Sequence, residues 1–153
     1  MKKILLVLFA LLMVGNYAVA QDTSQQEGKD QEVEIPLGDI KKLHALAKDA
    51  PDINTRIRAI QQLAKMKRAE SVDLLVDILE EPFKNAYATG DKQMQDNWKV
   101  RQEAAKAFRA YAGDQEVTRK VYTPLTKVMV FDPEERVKGE SALTLGIIGR
   151  DAE

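Results

Sequence analysis

From Ile35 onward, apolar residues recur every three or four positions, the period of one helix face. Ile40, Leu43 and Ala47 share a face over residues 39–50, and Pro51 closes that segment. Asn54 is read as the N-cap of a second helix. That helix sets Ala59, Ile60, Leu63, Ala64 and Met66 against Arg56, Arg58, Gln61 and Lys65. Ser71 is read as the cap of a third, with core positions Val72, Leu75, Ile78 and Leu79 before Pro82. The pattern then recurs. Asp96 or Asn97 caps a helix bearing Val100, Ala104, Ala105, Ala107, Phe108 and Tyr111, ended by Gly113. Asp114 caps one with Val117, Val121, Leu125, Val128 and Met129, which Pro124 should bend or split at Thr123. Asp132-Pro133-Glu134 reads as a last start, with Asp as N-cap and Pro at the first helical position. Its helix carries Val137, Ala142, Leu145 and Ile148, and Gly149 is placed to stop it. Turn dipeptides between alternating apolar runs are missing, so the chain is predicted to be all-α.

Three of these helices can be laid over one another. The shared columns are Arg56/Arg101/Lys138, Ala59/Ala104/Ser141, Ile60/Ala105/Ala142, Leu63/Phe108/Leu145 and Met66/Tyr111/Ile148. Small residues early in each segment let neighbouring helices approach closely, and a large one fills the layer behind. The basic column recurs after 45 and then 37 residues, within the range of helix-pair solenoids.

These columns resemble the HEAT repeat, in the short variant found in phycobilin lyases. Asp132, Val137, Lys138, Ala142, Leu145, Gly146, Ile148 and Gly149 follow its pattern in the last unit. Asp96, Val100, Arg101, Ala104 and Ala105 follow it in the middle one, where Arg109 replaces the family's glycine. Asp52, Arg56, Ala59 and Leu63 do so in the first, with Thr55 in place of valine and Ala64 in place of glycine. The resemblance spans roughly residues 36–150. It implies a short α-solenoid of stacked antiparallel helix pairs, an α-α superhelix that binds other proteins. It also implies that Arg56, Arg101 and Lys138 pair with Asp52, Asp96 and Asp132 of neighbouring units as an inter-repeat charge ladder; the alternative for the basic column is a groove for an acidic ligand.

The first twenty residues are of a different kind. Lys2 and Lys3 precede the apolar run Ile4 to Val14, and Ala18-Val19-Ala20 offers the small residues an export peptidase reads. The run is short of the ~20 residues of a bilayer span. Residues 1–20 are therefore expected to be a signal peptide cleaved after Ala20, and the protein periplasmic or secreted. No membrane span is expected after cleavage. Residues 21–35 are polar, without aromatics or period, and read as a flexible spacer. Residues 36–150 hold the repeat domain.

Composition narrows the function. The whole chain of 153 residues has 23 basic and 24 acidic side chains and a formal charge of −1, so no nucleic-acid partner is expected. It has no cysteine, which excludes disulfides and thiolate chemistry, and its one histidine, His44, lacks a second ligand at metal-binding spacing. Neither a P-loop nor Gly-x-Ser-x-Gly occurs, and the pairs Glu80-Glu81 and Glu134-Glu135 sit at helix ends. No enzyme activity and no cofactor are expected.

Two departures from the repeat carry the candidate contacts. The longer spacing places its surplus between Pro82 and Trp98, where Phe83, Tyr87, Met94 and Trp98 gather. Aromatics and Met favour interfaces, and solenoid insertions fall on one face, so these four are candidate partner-binding residues, with a lid over the gap between units as the alternative. The chain also stops after a first-type helix bearing Leu143, Leu145, Ile147 and Ile148. These residues either turn inward as a cap or support a homodimer. The expected function is a non-catalytic protein-interaction scaffold of the bacterial cell envelope whose partner is another protein. The alternatives are a lyase-like or enzyme-associated subunit holding a substrate protein or small ligand, and a structural homo-oligomer.

Overall fold

The computed structural model describes residues 38–84 and 97–150. Every regular element among them is helical: α1 Ile40–Asp49, α2 Ile53–Met66, α3 Val72–Leu79, α4 Glu81–Lys84, α5 Trp98–Ala107, α6 Gln115–Phe131 and α7 Glu135–Arg150. Short 3-10 turns, Ala69–Ser71 and Phe108–Tyr111, lead into α3 and extend α5.

The caps explain where the chain turns. Asp39 accepts from the Lys42 amide to open α1, and Asp114 accepts from Val117 to open α6. The second helix begins one residue before Asn54: Asp52 is its cap, and Thr55 donates to it from both its amide (2.7 Å) and its hydroxyl (2.8 Å). Two donors on one carboxylate outcompete an Asn side chain further along. Ser71 and Asn97 stand at cap positions without a side-chain cap bond, because the Ser71 hydroxyl is engaged elsewhere. Asp96 lies outside the described residues. α2 ends on Lys67 in the left-handed conformation, φ 50°, a backbone state that costs a non-glycine residue roughly 1–2 kcal/mol. Gly113, at φ 86°, makes the corresponding reversal before α6 without a Cβ to oppose it.

Three expectations about element ends change. α6 runs unbroken through Pro124. Proline forfeits one amide donor, but Lys120, whose carbonyl it leaves without that donor, is exposed, so water can take its place. α7 begins at Glu135, two residues after Pro133: its first bonds run from the Val137 and Lys138 amides to the Glu134 carbonyl, while the Asp132 carboxylate accepts from the Glu134 amide (2.9 Å) in the turn before it. Gly149 does not stop α7, which continues to Arg150.

Packing follows the apolar stripes. α1 folds back on α2, and α6 on α7, across links of three residues, 50–52 and 132–134. α3 packs on α5 and α6. α2, α5 and α7 also pack on one another in series. Their small columns sit at these contacts: Ala59, Ala104 and Ser141 are all fully buried. The large column follows, with Leu63 and Phe108 buried and Leu145 partly so. One column fails at the end of the series. Ile60 and Ala105 are buried, but their counterpart Ala142, expected in the core, is exposed, since no further described helix covers that side of α7. The last helix does have a partner, the helix before it, so the split between an inward cap and an outward stripe is mixed: Ile148 is buried and Leu143 is 54% exposed.

Candidate functional site

The four aromatic and Met candidates separate into two that the structure places and two, Tyr87 and Met94, that lie outside the described residues. Phe83 sits on the single turn of α4, partly buried against the core. The Lys127 ammonium of α6 stands 4.6 Å from its ring centroid and is also paired with Glu80 at 3.1 Å. Trp98 opens α5, likewise partly buried, with the Arg136 guanidinium of α7 at 4.7 Å and Lys99 at 5.6 Å from its ring. Each ring thus packs against the core and has a cation from a later helix over it. A cation over a ring contributes about 0.5–2 kcal/mol, rising as the pair is desolvated. Both rings are built into the edge of the core.

The basic column does three different things. Arg101, buried in the first turns of α5, donates from Nε and Nη2 to both oxygens of Asp132, each at 3.0 Å. Arg56 is also buried, but its Nε donates to the Ala47 carbonyl (3.0 Å), and its nearest carboxylate is Glu81 at 4.0 Å. Asp52 is spent on capping α2, where hydrogen bonds from the Thr55 hydroxyl and then its amide hold the carboxyl below the ordinary aspartate value. Lys138 pairs with Glu135 of its own helix, at 2.8 Å. The structure brings Arg101 and Asp132 together and leaves Lys138 with a local partner.

Two polar constellations escaped the sequence reading. His44 Nε2 and Ser71 Oγ are 3.0 Å apart, tying α1 to the start of α3. Ser71 is fully buried and His44 partly so, and the contact acts as a polar clasp between the two helices. Arg109 is the other. Its Nε donates to Thr144 Oγ1 (3.2 Å), Thr144 donates on to the Ala105 carbonyl (3.1 Å), and the guanidinium meets Glu140 of α7. The signal was present: Arg109 stands where the repeat pattern carries glycine. Among the described residues, no group of three or more His, Asp or Glu side chains is gathered as for a metal ion.

Between α2 and α5 runs a shallow groove of about 260 Å³. Ala64, Ala107 and Ala110 form its floor, and Gln61, Lys65, Glu103 and Lys106 line its walls. Gln61 bridges to Glu103 at 3.2 Å, and Lys106 stands 3.8 Å from the same carboxylate. Lys65 and Lys67 have no carboxylate partner among the described residues. The groove exists because alanines occupy the contact line of both helices, which leaves space that larger side chains would fill.

Comparison with protein-family models, curated proteins and solved structures finds no match to this chain. The likeness to HEAT repeats therefore rests on the columns themselves. No described helix is long and apolar enough to cross a membrane.

Proposed function

We propose that the protein is a non-catalytic interaction module of the bacterial cell envelope, a short HEAT-like α-solenoid exported by a signal peptide cleaved after Ala20. The observation that carries this reading is the serial packing of α2, α5 and α7, whose equivalent columns Ala59, Ala104 and Ser141 are buried alike. A row of similar helices presents a long, regular surface, the usual means by which such architectures hold other proteins. The clasped, buried Ser71 supports a structural rather than catalytic role for the His44 contact.

The test is affinity capture from envelope extracts with the whole chain as bait, followed by reconstitution with the purified candidate partner. A partner that binds in stoichiometric amounts supports the reading. Failure to retain any envelope protein over a bait-free control removes it. A second reading, self-association through α7, is favoured by the exposure of Leu143 at 54%. Sedimentation would show a dimer that Leu143→Glu dissociates.

A further inference from the structure

We draw no further inference here: the strongest candidate, the outer face of α7, where Gly139, Ala142, Leu143 and Gly146 lie exposed at the end of the helix series, already carries the self-association reading above, and nothing in the structure shows what covers it.

Discussion

Arg101 and Asp132 form a two-pronged ion pair whose side chains are almost wholly out of contact with water, both bonds 3.0 Å long, joining the first turns of α5 to the link between α6 and α7. A buried pair of this kind adds little net stability over apolar residues of the same shape, because both charges have lost their hydration. Removing one partner is different, since it strands a charge. Arg101→Met and Asp132→Leu should each cost about 3–5 kcal/mol, and the double variant should recover most of that loss. Urea denaturation of the four proteins closes the cycle. If the two single losses simply add in the double variant, the residues do not act as a pair.

Ser141 predicts the opposite sign. Its column carries alanine at Ala59 and Ala104, and its hydroxyl is fully buried with no hydrogen-bond partner. Ser141→Ala removes an unsatisfied polar atom, keeps the helix and needs no extra room. It should stabilise the fold by about 1 kcal/mol, read as a shift in the urea midpoint at unchanged slope. A loss of stability would mean that the hydroxyl has a partner after all.

Phe83 and Trp98, candidate contact residues by sequence, carry cations over their rings at the edge of the core. Phe83→Ala and Trp98→Ala should therefore each destabilise the fold, by about 2–4 kcal/mol, less than a fully buried aromatic would. Lys127→Met and Arg136→Met should each cost less than about 1 kcal/mol and leave the rings packed. Thermal melts decide it. Alanine variants that melt like the parent would return both aromatics to the surface role.

Much of the helical layout could be read from the chain because it is local. Apolar spacing named nearly every core residue of α2, α3, α5 and α6, and Asp39 and Asp114 mark their helix starts by short-range hydrogen bonds. What failed was non-local. Asp132 looks like an N-cap from its neighbours, yet it stands in the turn before α7 and takes both donors of Arg101, 31 residues away, the one rung of the expected ladder that forms. Ser71 has the same history with His44. Ala142 fits its column but lies on the side of α7 that no other described helix covers, a fact no periodicity contains. The groove between α2 and α5 depends on which faces of two helices meet, and only Arg109, in place of the repeat's glycine, hinted at a cross-link in that series.

Tyr111 supplies a pH dependence at the alkaline end. Its hydroxyl donates to the Arg68 carbonyl (3.1 Å), and the ring is almost fully buried. Burial, and to a smaller degree the negative charge of Asp114, push the phenol above its ordinary value of 10.0. The phenolate is thus less welcome in the folded chain than in the unfolded one, so the unfolded state gives up its proton first. Stability from this group is complete below about pH 10 and falls as pH rises through the folded-state value. Denaturation midpoints measured from pH 8 to 11 should decline above about pH 10, and Tyr111→Phe should flatten its share of that decline. The same variant leaves the Arg68 carbonyl without its donor and should cost about 0.5–1.5 kcal/mol at neutral pH. A parent and a Tyr111→Phe variant with parallel alkaline profiles would show that the phenol is solvated, and that the hydrogen bond from the 3-10 turn back to the end of α2 does not persist in solution.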